Sequence, residues 1–439
     1  MQDDIVGVIN PITQKNIDHT VHDTDVEVGH RRQGSVVTVH KIPYGTESPT
    51  TSEQSMLRKI PGKIPAIAFT LCCVELAERA SYYGVKGVFN NFMQFPLPKG
   101  GNDTGAVPAG SVNKHAGALG QGIEFANAMG NIFLFLSYLL PIFGAWLADA
   151  KIGRYQTIMW GVIIGGVAHV VMIGGAAPAV LRAGAGVAPF VISLVLLAVG
   201  AGIFKPNVAP LLVDQYQYQM PYVETLKSGE RVIIDPEITI QRVFLWFYAF
   251  INCGAFFAIA TTYAEKYIGF WVAYLLPGIV YFLLPILLIL INKRLFKRKP
   301  VGSEIPKFFK VIWIALKQNN FKPWGKDYFE KAKPAYLAER GYTATWDNKF
   351  VKDVARALGA CTIFLYFPIY NLNDGGIGPL QGNQGAAMIT GDAPNDLLNN
   401  FNPLVIIILT PFLSHGLYPF LNNRGIKVPF PLPESLHLC

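Results

Sequence analysis

Charge is what this sequence has least of. Of 439 residues only 15% are Asp, Glu, Lys or Arg, whereas 51% are hydrophobic and 13% aromatic. With a mean hydropathy of +0.32, that balance excludes an ordinary soluble enzyme of this length. Cysteine is scarce as well. The five present, Cys72, Cys73, Cys253, Cys361 and Cys439, show no metal or disulfide spacing, and four fall in predicted helices, where they pack as small apolar groups. Cysteines and histidines together supply neither a metal set nor a nucleophile beside a base, so an intramembrane enzyme is set aside and no cofactor is implied. The first 60 residues lack the basic start and apolar core of a signal peptide, so the first span is expected to act as its own anchor. That leading stretch is polar, with His19, His22, His30 and His40 scattered through it, and reads as a solvated, disordered tail. Lys and Arg are not interleaved with exposed aromatics, so the net charge of +8 points to cytoplasmic loops and not to nucleic acid.

What the chain has in abundance is apolar runs of about 20 residues, long enough to cross a bilayer, together with 42 glycines and 30 prolines of the kind that let membrane helices pack closely or break. The expected fold is an all-α polytopic membrane protein. Eight spans are predicted, at about 65–95, 119–148, 155–177, 187–212, 243–264, 270–291, from near Val354 onward, and 397–420. Lys151 and Arg154 mark the turn after span 2 as cytoplasmic, and Lys227, Arg231 and Arg242 do the same for the polar loop after span 4. The strongest such signal is NKRLFKRKP, from Asn292, which opens a basic segment of about 60 residues. Within it KFFKVIWIALKQ alternates basic and apolar groups, as a helix on the membrane surface or against the bundle would. The expected division is a cytoplasmic tail (1–62), a six-helix bundle (63–292), a linker (293–353), a partial second half of two spans (354–421) and a polar tail (422–439). The N-terminus is placed in the cytoplasm, and the sequon at Asn102 agrees with an outer loop after span 1.

Span 1 places charge where a membrane helix tolerates it least. At about 100° per residue, Glu75, Glu78, Arg79, Tyr82 and Lys86 share one face. Each such charge costs roughly 2.5–3.5 kcal/mol at a helix centre, so the stripe is expected to face a bundle interior or a water-filled path. Span 4 adds a second buried cation, Lys205 in FKPN, where Pro206 and the nearby glycines imply a broken or closely packed helix. Two carboxylates with Arg79 and Lys205 balance only when both are ionised. Protonating one frees a cation for an anionic ligand, which links a proton to a substrate. The bland alternative is a salt-bridge network that only fixes packing. Asp149, Arg154 and Tyr155 flank the turn between spans 2 and 3, as a gate contact or a plain topogenic turn. Asn252 sits in an apolar run of span 5, where its amide needs a ligand or a neighbouring helix. Tyr82, Tyr83 and Tyr138 suit a pocket wall, and His169 and His415 are given no role.

ELAERASYYG in span 1, GAWLADAKIGRYQTI between spans 2 and 3 and FYAFINCG in span 5, with FKPN in support, together resemble the proton-dependent oligopeptide transporter family, POT or PTR, of the major facilitator superfamily. The resemblance covers about Lys63 to Arg424, and the long loop after span 4 is similar to the fungal branch. It implies a major facilitator fold and proton-coupled symport of di- and tripeptides by alternating access at a plasma membrane. It also implies that Glu75 and Glu78 couple protons, while Arg79 and Lys205 hold the peptide carboxylate. Tyr82, Tyr83, Tyr138, Asn252 and Asn402 match family pocket positions, and Lys86 shares the stripe. Asn131 stands near the place of a functional histidine in animal relatives, so coupling rests on the glutamates. Two departures stand out. Ala80 replaces the phenylalanine usual after the motif, and the chain stops after eight spans where the family has twelve, without the span 10 glutamate that binds a peptide amino group. A C-terminally truncated chain is therefore expected. The alternatives are a nitrate or other small-anion carrier of the same family, and a non-transporting membrane protein paired with a full-length relative.

Overall fold

A computed structural model describes residues 26–30, 36–39, 42–43, 46–111, 115–300, 302–322, 328–373, 378–388, 392–412, 417, 420 and 424. In chain order these form β1 (Val26–His30), β2 (Val36–Val39), α1 (Thr51–Met56), β3 (Lys59–Ile60), α2 (Ala66–Lys86), α3 (Phe89–Gln94) and α4 (Gly122–Leu147). There follow α5 (Arg154–Gly175), α6 (Pro178–Arg182), α7 (Val187–Val213), β4 (Tyr222–Thr225), β5 (Arg231–Ile234), α8 (Pro236–Ala255), α9 (Ala258–Tyr267) and α10 (Phe270–Ile291). The chain continues through α11 (Ile305–Gln318), α12 (Pro334–Ala338), α13 (Asn348–Ala360), α14 (Phe367–Asn373), α15 (Gly378–Ala387) and α16 (Phe401–Pro411).

Five described stretches are long and apolar enough to cross a membrane: Gly122–Ile152, Arg154–Gly175, Val187–Val213, Pro236–Tyr267 and Phe270–Ile291. They match the expected spans 2 to 6. The helix of span 1, α2, has 21 residues, but its charged stripe lowers its hydropathy. In lipid a helix satisfies most backbone groups internally, and these stretches are helical while turning Ile132, Phe135, Ile142, Ile286 and Leu290 outward. Glycine sets how closely they pack. A Cβ on Gly144 of α4 would lie 2.6 Å from the Gly202 carbonyl of α7, and one on Gly161 of α5 would lie 2.9 Å from the Gly200 carbonyl.

Burial divides the bundle into two apolar clusters along α2. Toward one end, Leu71, Val74 and Ala77 pack with Ile158, Phe204, Leu211 and Leu284. Toward the other, Val85, Phe89 and Phe92 pack with Phe133, Phe190, Phe270 and Tyr274. Glu78 and Arg79 fall between these clusters, with Glu75 at the edge of the first.

Three expectations are corrected. The leading tail is not wholly disordered. β1 and β2 form an antiparallel hairpin, and α1 begins with a capping box in which Thr50 and Glu53 exchange side-chain and backbone bonds. Nor is the polar segment after α7 only a loop. β4 and β5 pair antiparallel, and β5 takes β3 as a parallel neighbour, Lys59 opposite Ile233. The all-α description therefore holds for the bundle, while a small sheet with Val232, Ile233 and Ile234 buried lies outside it. The third correction concerns span 7, which is not one helix starting near Val354. Val351 and Val354 of α13 pack with Val311 and Ala315 of α11, Leu337 and Trp346. The polar face of NKFVKDVARALGA suits such a half-buried helix better than a lipid one. A 3-10 stretch, Cys361–Tyr366, then separates α13 from α14. Most of span 8 beyond Phe412 and most of the closing tail lie outside the described residues, as do His19, His22, His40 and His415.

Candidate functional site

The charged stripe of α2 faces inward. Glu75, Glu78 and Arg79 are only 3%, 2% and 4% exposed. Their i, i+3 and i+4 spacing puts both carboxylates against one guanidinium: Arg79 Nε lies 3.3 Å from Glu75 Oε1, and its Nη2 meets Glu78 Oε2. The remaining oxygen of Glu75, Oε2, is buried without a partner. A planar, permanently charged fork serves two carboxylates in a way a point charge does not. Gly254 of α8 makes this approach feasible, since a Cβ there would sit 2.6 Å from the Leu76 carbonyl and 3.0 Å from Arg79 Cβ.

Aromatic rings cover the guanidinium. Arg79 Cζ stands 4.8 Å from the Tyr82 ring centre and 6.0 Å from that of Tyr83. Tyr82 stacks on Phe133 of α4 at 5.5 Å, and its hydroxyl reaches Ser137 Oγ at 3.4 Å. Lys205 of α7 lies within electrostatic reach of Glu75 and Glu78. It is exposed, which corrects its expected burial, with its Nζ 5.9 Å from the Tyr138 ring centre. Lys86, one helical turn past Tyr82, is exposed too and lies within reach of Lys205 and Arg79. The site thus has a buried guanidinium held by two carboxylates and two open ammonium groups beside it. Such a set can exchange a proton at a carboxylate and present positive charge to an anion.

Asn252 is buried and donates from Nδ2 to the Tyr248 carbonyl of its own helix at 2.9 Å. Asn402 lies on the α16 backbone, and its side chain is outside the described set. Asn131 is exposed on α4. A separate groove of about 370 Å³ between α5 and α10, lined by Val162, Gly166, Tyr281 and Pro285, is apolar and holds none of the charged groups.

Asp149 and Arg154 form a second cluster at the other end of α5. Arg154 Nε is 3.7 Å from Asp149 Oδ1, and its Nη1 is 2.5 Å from Asp214 Oδ2. Arg298 closes on the other oxygen of Asp214 at 2.8 Å. Burial pushes the Asp214 carboxyl above its usual range, against the pull of the two arginines. Sequence reading missed Asp214 and Arg298, which lie 60 and 144 positions from Arg154 in a chain with many similar charges. It also gave His169 no role. Its Nε2 lies 2.7 Å from Ser81 Oγ, inside the bundle and two residues from Arg79.

A family model described as the POT family matches residues 155–432. The chain is 52% identical over 384 residues to the MFS-type transporter ucsM of an Acremonium species, covering 87% of this chain and 64% of that one. It is 40% identical over 396 residues to the peptide transporter PTR2 of Candida albicans, covering 88% and 64%. It therefore spans a little under two thirds of the length of these curated relatives. Among solved structures, the POT family transporter PepTSo superposes with a TM-score of 0.60 at 22% identity, over 84% of this chain and 72% of that chain. That likeness is one of fold.

Proposed function

The chain belongs to the POT family, and from that premise we propose that it serves proton-coupled symport of di- and tripeptides by alternating access, as a transporter and not an enzyme, with no cofactor beyond the proton gradient. The observation that carries this reading is the buried Glu75–Arg79–Glu78 group with Lys205 and Lys86 open beside it. With both carboxylates ionised, Arg79 is paired with Glu75 and Glu78. A proton on either one withdraws an anion from the guanidinium, and the local charge rises by one unit. A peptide carboxylate then gains attraction at Lys205 and Arg79. Tyr82, Tyr83 and Tyr138 form the pocket wall, with Asn252 and Asn402 as polar contacts, and Asp149 and Arg154 act at the cytoplasmic gate. The peptide substrate is supported by the name of the Candida albicans relative. The proposed division keeps residues 63–292 as the first bundle, 293–353 as the linker and 354–421 as part of the second half, in a plasma membrane with the N-terminus inside.

The test is uptake of a labelled dipeptide in cells lacking their own carrier, with and without a proton gradient. Uptake that collapses with the gradient is expected. In the Glu78→Gln variant, gradient-driven accumulation is expected to fall at least about tenfold while peptide exchange persists. Uptake indifferent to the gradient would overturn the coupling, and inertness toward every di- and tripeptide would overturn the substrate. A small-anion carrier is the second reading, favoured by the two open lysines, and nitrate uptake without peptide uptake would select it.

A further inference from the structure

A second pair of buried carboxyls lies at the opposite end of the bundle from Asp149. Glu265 of α9 and Asp396 of the 3-10 stretch Asn395–Asn400 are each 1% exposed, although 131 positions separate them in the chain. Asn91 of α3 joins them. Its Nδ2 donates to Glu265 Oε1 at 2.8 Å and to Asn395 Oδ1 at 2.9 Å, and Asn395 Nδ2 returns a bond to Asn91 Oδ1 at 2.9 Å. Asn395 Nδ2 also reaches Asp396 Oδ1 at 3.4 Å. Three polar atoms remain buried and unpartnered in this cluster: Glu265 Oε2, Asp396 Oδ2 and the Tyr274 hydroxyl of α10. The hydrogen-bond partners of the two carboxyls among the described residues are amides, and Asp396 acts on Glu265 electrostatically.

The groups facing the cluster are few. Tyr274 lies within electrostatic reach of both carboxyls. His115 lies within hydrogen-bonding reach of Asn395, and burial lowers its proton affinity. Lys266, the neighbour of Glu265, is directed elsewhere, with its Nζ 2.9 Å from the Ala393 carbonyl and within reach of Asp392. Tyr267 donates to the Asp392 carbonyl at 2.6 Å. Residues 392–396 are thus fastened to α3 and α9 around a carboxyl pair with no cation between them among the described residues.

Two ionised carboxylates joined through one pair of amides cannot share a dry site without large cost, whereas one proton between them removes the repulsion and supplies a donor to an orphaned oxygen. We propose that Glu265 and Asp396 bind one proton together, and that this proton latches the 392–400 segment onto the end of the bundle formed by α3, α9 and α10. Burial pushes the Asp396 carboxyl well above its usual range, which agrees. The sign follows: a carboxyl whose affinity is raised on docking stabilises the docked state at low pH and loses that contribution as pH rises through its docked value. The latch therefore closes in acid and loosens as the pH rises into the alkaline range. It does not depend on the substrate assignment, and it binds its proton apart from Glu75 and Glu78.

The experiment is amide hydrogen exchange across residues 392–400 of the full chain in lipid discs, at about pH 6 and pH 9 and corrected for intrinsic rates. Protection is expected to fall at least about tenfold at the higher pH in the wild type. Asp396→Asn and Glu265→Gln each leave at most one ionisable carboxyl, and both are expected to keep their protection at the higher pH. Equal wild-type protection at both pH values would overturn the proposal, as would variants that loosen with pH just as the wild type does. Substrate uptake is not needed for either result.

Discussion

At the scale of single residues, the site is governed by how one guanidinium holds two buried anions. Removing Arg79 would leave Glu75 and Glu78 side by side at 3% and 2% exposure. Breaking a buried pair from one side typically costs about 3–5 kcal/mol, because the surviving charge stays desolvated. Arg79→Ala is therefore expected to lower the thermal stability of the detergent-purified protein sharply. Adding Glu75→Gln and Glu78→Gln should restore most of the loss, since neutral amides need no counter-charge. Thermal unfolding of the three proteins checks this, and an Arg79→Ala variant as stable as the wild type would mean the carboxyls are not both ionised. The stripe was legible in the sequence because three charges in an apolar run at helical spacing admit little else. Long-range partners were not. Nothing local in Asp214 or Arg298 tells that they meet Arg154, and nothing in GDAPNDLL tells that Asp396 is buried against Glu265.

At the scale of elements, periodicity and length identified the helices of spans 1 to 6, because about 20 apolar residues in lipid have one way to satisfy their backbone. The strands escaped notice for the opposite reason. β3 has two residues and β4 and β5 four each, too few for an alternating pattern, and β3 and β5 are far apart in sequence. How tightly the helices meet was half visible, as glycine abundance without a map of contacts. Gly200 of α7 supplies a sharp case. A Cβ there would lie 2.8 Å from Gly165 N and 2.9 Å from the Gly161 carbonyl, both backbone atoms of α5 that cannot rotate away. Gly200→Val is expected to force α5 and α7 apart at a cost of about 1–3 kcal/mol or more. Gly174→Ala, with nothing within 4 Å of the new atom, is expected to leave stability unchanged or slightly raised. Side-by-side thermal unfolding separates the two. Equal behaviour would show that the α5–α7 contact yields easily.

At the scale of the whole molecule, the structure gathers the loops into two ends of contrasting charge. At one end, the loop after α3 is tied to the turn between α9 and α10, with Val107 N donating to the Lys266 carbonyl at 2.9 Å and Phe270 N to the Thr104 carbonyl at 3.0 Å. Arg182 pairs with Asp103 there at 2.8 Å. At the other end, Gly302 N reaches the Asp149 carbonyl at 3.0 Å, Arg298 pairs with Asp214, and Lys59 lies 3.7 Å from Asp235. This second end carries Lys151, Arg154, Lys293, Arg294, Lys297, Arg298 and Lys299, against Lys99, Arg182 and Lys266 among the described residues of the first. Cation-rich short loops are retained on the cytoplasmic side. The expected orientation therefore puts the Asp149 cluster inside, and the Glu265–Asp396 pair and Asn102 outside. With the native cysteines replaced, a cysteine at Lys99, which is exposed, should react with a membrane-impermeant maleimide in intact cells. One at Lys293, also exposed, should react only after permeabilisation. The reverse pattern would invert the topology, placing the proposed latch in the cytoplasm and the proposed Asp149 gate on the outer face, where an external proton would no longer reach the carboxyls in the order that the proposed symport requires.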